Sequence, residues 1–177
     1  MDELFLLPPC TVAMPRAYWL YPKKKVLASQ LMLIQPSAVE FDRLSGKISA
    51  AGTDDYDMEI VNELYGESAM VLPHRGYGLL TSEFRRTNHA AYLGSDRETW
   101  DPVAAYNEAK FVHFSDWPLP KPWLPAPAGI FLAQRPKCRV REGAVDCGDR
   151  EVWRGIYAEF QSLRQVCFLG RSLGAIL

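Results

Sequence analysis

A mixed α/β fold is the class this sequence predicts, and three observations carry it. Short apolar runs of strand length stand at residues 11–14, 30–34, 70–73 and 110–114. Between and after them lie stretches whose apolar residues recur every three or four positions, the spacing of one helix face. These strand-like and helix-like stretches alternate along the chain, as α/β proteins require. A chain of 177 residues can bury a sizeable core, as one domain or two small ones. Apolar residues are 48% and charged residues 23%, which argues against disorder. Lys and Arg number 20 and Asp and Glu 21, so the formal charge is 20 − 21 = −1. That excludes a strongly basic nucleic-acid binder as the first reading.

The elements follow in order. Thr11-Val12-Ala13-Met14 reads as a strand ended by Pro15. Gln30-Leu31-Met32-Leu33-Ile34 is nearly all apolar and reads as a strand buried on both faces. Pro36-Ser37 opens a helix carrying Val39, Phe41, Leu44 and Ile48 on one side. The loop at residues 52–55 has capping chemistry and precedes a helix with Met58, Ile60, Val61, Leu64 and Tyr65, stopped at Gly66. Met70-Val71-Leu72-Pro73 is a short strand or extended segment, and residues 74–95 read as loop. Asp101-Pro102 is the cap and first position of a short helix. Residues 110–114 form a strand that neighbours the one at 31–34. Five prolines in residues 117–127 exclude helix and central strand there. Val152, Trp153, Ile156, Tyr157, Phe160 and Leu163 mark a helix over about 149–168.

No apolar run approaches the roughly 20 residues that span a bilayer. The start has no basic segment and breaks at Pro8-Pro9, so it is a poor signal peptide. Four cysteines show no Cys-x-x-Cys pair, which argues against zinc. Cys138 and Cys147 flank a short hairpin turning near Gly143, and either a disulfide or two thiols fits that spacing.

The sharpest chemistry lies in His113-Phe114-Ser115-Asp116-Trp117-Pro118-Leu119-Pro120-Lys121-Pro122-Trp123. A histidine ends a short strand, and a stiff loop beyond it carries one lysine. Ligands of open α/β sheets bind beyond the strands' carboxyl ends. Imidazole suits Mn²⁺-type ions, and a fixed ammonium suits a diphosphate. The plainer reading of the same residues is a core histidine followed by a surface loop.

That string resembles the His-x-x-Gly-x-x-Lys-Pro-Trp motif of family 8 retaining glycosyltransferases, the glycogenin-like group. Residues 29–37 are similar to that family's strand ending in Gln-Pro-Ser. Asp57-Met58-Glu59-Ile60-Val61-Asn62 is similar to its Asp-Gln-Gly-x-x-Asn helix start. Met1-Asp2-Glu3-Leu4-Phe5 is similar to the segment after its Asp-x-Asp strand. The likeness covers roughly residues 1–125. It is nearest to the glycogenin-like N-acetylglucosaminyltransferases, which carry the whole His-Phe-Ser-Asp-Trp-Pro-x-Pro-Lys-Pro-Trp string.

The resemblance implies an incomplete nucleotide-diphospho-sugar transferase fold of the GT-A type, lacking its amino-terminal nucleotide-binding half. It implies residues 1–127 as the carboxy-terminal part of the transferase domain and 128–177 as a hairpin and helix extension. His113 would be a Mn²⁺ ligand, the metal being expected only with the missing half present. Lys121 would neutralise the leaving diphosphate and contact substrate. Asp57 would be catalytic, on the acceptor or sugar side, and Ser29 and Gln30 would line the sugar pocket. The donor would be a UDP-sugar carrying N-acetylglucosamine or glucose, the acceptor a glycan or protein. A Golgi setting comes from the resemblance alone; without it the chain reads as cytoplasmic.

Departures are visible. Ala28-Ser29-Gln30 stands where glycogenins have Asn-Ser-Gly, Met58 replaces a glutamine, and Ser115-Asp116 replaces the motif glycine. Asp55-Tyr56-Asp57 fits the Asp-x-Asp letters but sits at a helix start, so it reads as capping rather than as a metal site. A truncated, inactive fragment is therefore expected, with an apolar face left bare beside residues 31–34 that offers self-association. A non-catalytic pseudoenzyme or sugar-binding module is the alternative.

Overall fold

A computed structural model describes residues 1–141 and 143–173. Its elements are β1 (Val12–Pro15), β2 (Leu33–Ile34), α1 (Ala38–Ser49), α2 (Asp57–Tyr65), β3 (Met70–Leu72), α3 (His74–Tyr77), β4 (Leu79–Leu80), α4 (Ala90–Leu93), α5 (Pro102–Glu108), β5 (Val112–His113), α6 (Ala128–Gln134), β6 (Arg139–Arg141), β7 (Ala144–Asp146) and α7 (Gly148–Leu173). Single 3₁₀ helices cover Asp2–Leu6 and Thr81–Arg85. The class is mixed α/β, with three small sheets ordered β2-β1-β3, β4-β5 and β6-β7. The chain divides into two compact units. The first comprises Met1–Leu79, Ala90–Glu98 and Glu108–Val112; the second comprises Leu80–His89, Thr99–Asn107 and the chain from His113 on.

In the first unit β1 is the central strand. It pairs antiparallel with β2 through Val12–Ile34 and Ala13–Leu33, and parallel with β3 through Ala13–Met70 and Met14–Val71. Its alternate residues enter two cores. Val12 and Met14 pack with Leu27, Val61 and Tyr65 on the α2 side. Ala13 packs with Leu4, Leu72 and Tyr77 on the other. Both faces are dry, so all four residues of β1 are buried.

This corrects one expectation. The fully buried strand is Val12–Pro15, whereas the more apolar run at 30–34 forms only the two-residue edge strand β2. Ile34 is 52% exposed, because nothing among the described residues pairs with its outer edge. Nor do the strands at 31–34 and 110–114 neighbour each other: β5 belongs to a different sheet and is itself only half-buried.

Ser37 caps α1 by accepting the Glu40 N–H at 3.4 Å. No residue of α1 is buried, and Val39, Phe41 and Ile48 face solvent. With Val12, Met32, Ile34, Leu44, Val61 and Tyr65, Phe41 lines an apolar groove of about 570 Å³. The bare apolar face expected beside 31–34 is thus present. The acidic pair before α2 does not cap it: Tyr56 is the cap residue without a side-chain bond, and Asp55 closes the preceding turn by accepting the Gly52 N–H at 2.8 Å. The stretch 74–95, expected as loop, holds α3, β4, a 3₁₀ helix and α4, each too short for periodicity to register.

In the second unit Asp101 Oδ1 caps α5, accepting the N–H groups of Val103 and Ala104 at 2.8 and 3.1 Å. β6 and β7 pair through Arg139–Asp146, Val140–Val145 and Arg141–Ala144. Gly143 takes the turn at φ +82°, a conformation that suits glycine. A disulfide joins Cys138 and Cys147 across the hairpin base. α7 buries Trp153, Ile156 and Tyr157 along one stripe. No helix among the described residues is long and apolar enough to cross a membrane.

Candidate functional site

The loop of residues 113–121 is built from its base upward. At the base, Lys121 Nζ stands 3.3 Å from His113 Nε2 and also donates to the Phe114 carbonyl. The structure therefore brings His113 and Lys121 together, eight residues apart in sequence. A neutral imidazole accepting at Nε2 carries its proton on Nδ1. Burial lowers the Lys121 pKa, and the nearby Asp116 carboxylate opposes that shift.

Asp116 holds the loop from inside. It is 2% exposed, and its Oδ2 accepts the Trp153 indole N–H at 2.8 Å and the Tyr157 hydroxyl at 3.0 Å. Arg85 lies 3.5 Å from its other oxygen. Tyr157 has a raised pKa, first through burial and then through Asp116. Ser115 adds further ties: its N–H donates to Thr81 Oγ1 at 2.9 Å, and its hydroxyl donates to Ser82 Oγ at 2.9 Å. The Ser115-Asp116 pair that departs from the glycogenin glycine is thus what anchors this loop to α7 and to the Thr81–Arg85 helix.

Ser29, Gln30 and Asp57 belong to the first unit. Ser29 and Gln30 are half-buried, and Asp57 is exposed in the first turn of α2. Asn62, on the same helix, clamps the segment just before Ser29. Its Oδ1 accepts the Leu27 N–H at 2.7 Å and its Nδ2 donates to the Leu27 carbonyl at 2.7 Å. Gln30 Nε2 is a buried nitrogen with no hydrogen-bond partner among the described residues. It faces the bare Cα of Gly78, where a Cβ would come within 3.4 Å of it.

Sequence reasoning passed over Asn62 and Asp116 as site-building residues. Both stood inside quoted motifs, and that position was the only local signal. Their bonding partners lie 35 and 37–41 residues away and could not be read locally.

Among the described residues no group of three or more His, Cys, Asp or Glu side chains could hold a metal ion. His113 offers one donor, with an ammonium 3.3 Å from it that repels a cation. The donor set of the described residues does not by itself fit Mn²⁺.

No family model matches the chain, and no solved structure matches it. Curated relatives do. A protein of Gibberella zeae named Glucose N-acetyltransferase 1 is 57% identical over 171 residues, covering 94% of this chain and 37% of that protein. One of the same name from Aspergillus fumigatus is 48% identical over 180 residues, covering 94% of this chain and 47% of that protein. A Saccharomyces cerevisiae protein of that name is 27% identical over 187 residues, covering 82% of this chain and 37% of its own length. The chain thus spans less than half the length of these relatives.

Proposed function

From its homology to part of the proteins named Glucose N-acetyltransferase 1, we propose that this chain is the carboxy-terminal, leaving-group side of a sugar transferase. The transferase is a retaining glycosyltransferase resembling family 8. It moves a sugar from a UDP-sugar to a glycan or protein acceptor. Residues 1–127 form its transferase part in this reading, and 128–177 an appended hairpin and helix. The observation that supports it most is the Lys121–His113 pair at the base of a loop braced by a buried carboxylate.

The chemistry follows from the lysine. An ammonium has three donors, and two of those on Lys121 point to His113 and Phe114. The third can meet a phosphate oxygen. During transfer the anomeric carbon loses its bond to the diphosphate oxygen and gains one to the acceptor oxygen on the same face. The acceptor proton passes to the departing diphosphate. Lys121 acts where that negative charge develops, and its partly desolvated setting strengthens the effect. Ser29 and Gln30 would hold the sugar, and Asp57 would stand on the acceptor side. His113 would be one Mn²⁺ ligand only where carboxylates from outside this chain complete the set.

N-acetylglucosamine is the favoured sugar on chemical grounds. Glucose has no nitrogen, so there is no amine on it to acetylate. The words "glucose" and "N-acetyl" fit one group when that group is N-acetylglucosamine. The test uses the full-length protein that carries this sequence. UDP-N-acetylglucosamine and UDP-glucose are assayed for UDP release with acceptor, and acetyl-coenzyme A is assayed separately with glucosamine. UDP release that falls at least roughly 100-fold in Lys121→Ala is expected, the scale of losing a transition-state charge contact. Acetyl transfer without UDP-sugar turnover would overturn the reading.

A further inference from the structure

The loop 113–121 closes on itself, because Lys121 meets His113 at its base. Its midpoint is Trp117, four residues from each. On one side of Trp117, Asp116 is buried and doubly hydrogen-bonded to α7. On the other, Leu119 is buried, and its N–H donates to the Asp116 carbonyl at 2.7 Å. Pro118 and Pro120 stiffen what remains. Yet the Trp117 side chain, between two anchored neighbours, is 85% exposed. In the same unit Trp100 and Trp153 are buried, with their indole N–H groups on carboxylates. A large aromatic ring held outward on a braced loop loses little conformational freedom when a ligand covers it.

We propose that Trp117 is a saccharide-stacking platform, on which a pyranose ring lays its C–H face against the indole. The proposal rests on the glycosyl-transfer reading, because that reading puts a sugar within reach of the same loop. The ring would belong to the acceptor, since Lys121 at the loop base takes the leaving group. A flat, rigid aromatic face with one N–H donor is matched to such a ring: apolar hydrogens for the face, hydroxyls for the edge. The spacing from His113 to Lys121 is two residues longer than in the glycogenin motif quoted above, and Trp117 lies within that longer loop, so this contact would set acceptor choice rather than transfer itself.

The experiment uses the 177-residue chain labelled with ¹⁵N, in which each tryptophan gives one indole resonance. Methyl glycosides of N-acetylglucosamine, glucose and mannose are titrated in turn. The Trp117 indole signal should shift saturably with at least one of them while that of Trp153 stays put. Trp117→Ala should weaken binding on the order of ten-fold, the scale of losing one stacking face, and Trp117→Phe should restore part of it. Both variants change an exposed side chain, and unchanged far-ultraviolet circular dichroism verifies their fold. An unmoved Trp117 signal with all three glycosides would overturn the proposal. So would a shift with neutral phosphatidylcholine vesicles in place of sugar, which would mark a membrane contact. A saturable Trp117 shift together with failure of the transfer assay removes the transferase reading alone. Transfer together with an unmoved Trp117 removes this inference alone.

Discussion

Replacing Asp116 with alanine tests whether one carboxylate ties the Lys121 loop to α7. The native side chain accepts two hydrogen bonds at 2.8 and 3.0 Å, from Trp153 and Tyr157. Alanine leaves the Trp153 indole N–H buried without its acceptor and leaves the Tyr157 hydroxyl with Thr81 alone, at about 1–3 kcal/mol each. It also removes a buried charge whose desolvation opposed folding, which offsets part of that loss. The net expectation is about 2–4 kcal/mol. With a urea slope of about 2 kcal/mol per molar, the unfolding midpoint should fall by about 1–2 M. Tryptophan fluorescence follows the transition, because Trp153 is fully buried. Asp116→Asn keeps a carbonyl oxygen toward both donors and should cost about 1 kcal/mol. A double-mutant cycle with Trp153→Phe isolates the indole bond, with an expected coupling of about 0.5–3 kcal/mol. An alanine variant as stable as the parent, or strictly additive effects in the cycle, would refute the reasoning.

Three further outcomes are expected. The double variant Cys138→Ser with Cys147→Ser should lose about 2–3 kcal/mol, from the loop entropy of a bridge with a sequence separation of 9. Two alkylatable thiols at these positions in non-reduced protein, read by mass spectrometry, would remove the premise. Glu3 has its pKa lowered from 4.5 to about 2, chiefly by its hydrogen bonds with Lys110 and then with Tyr77. Its folded pKa is depressed, so its contribution is present above about 4.5 and lost as pH falls toward about 2. Glu3→Gln should therefore flatten that part of the Tm-against-pH curve, and an unaltered curve would count against the interaction. Phe41 is 69% exposed beside the apolar groove, so the isolated chain should self-associate. Phe41→Glu should shift it toward monomer in light scattering, and identical mass distributions would argue that this face is not sticky.

Local spacing was enough to locate α1, α2, α5, α7 and the hairpin at 138–147. Each is set by neighbours a few residues away: Ser37 and Asp101 cap, Gly143 turns, and Trp153, Ile156 and Tyr157 repeat at helical steps. The proline-rich string was legible as a braced loop carrying His113 and Lys121, because its composition forbids regular structure. What the string meant for its own anchoring was not legible. Asp116 looked like one more substitution in a motif until α7, some 40 residues on, supplied its donors.

Burial was the other property withheld from the sequence. The apolar run at 30–34 looked more like a core strand than Val12–Pro15 does, but composition reports only a residue's preference for a dry place. Position in the sheet decides whether that place exists. β1 lies between two strands and under α2, so even Pro15 is fully enclosed there. β2 lies at an edge, so Ile34 stays in water despite its chemistry. Hydrophobicity along a chain is a one-dimensional quantity, and only the three-dimensional arrangement of partners turns it into buried area.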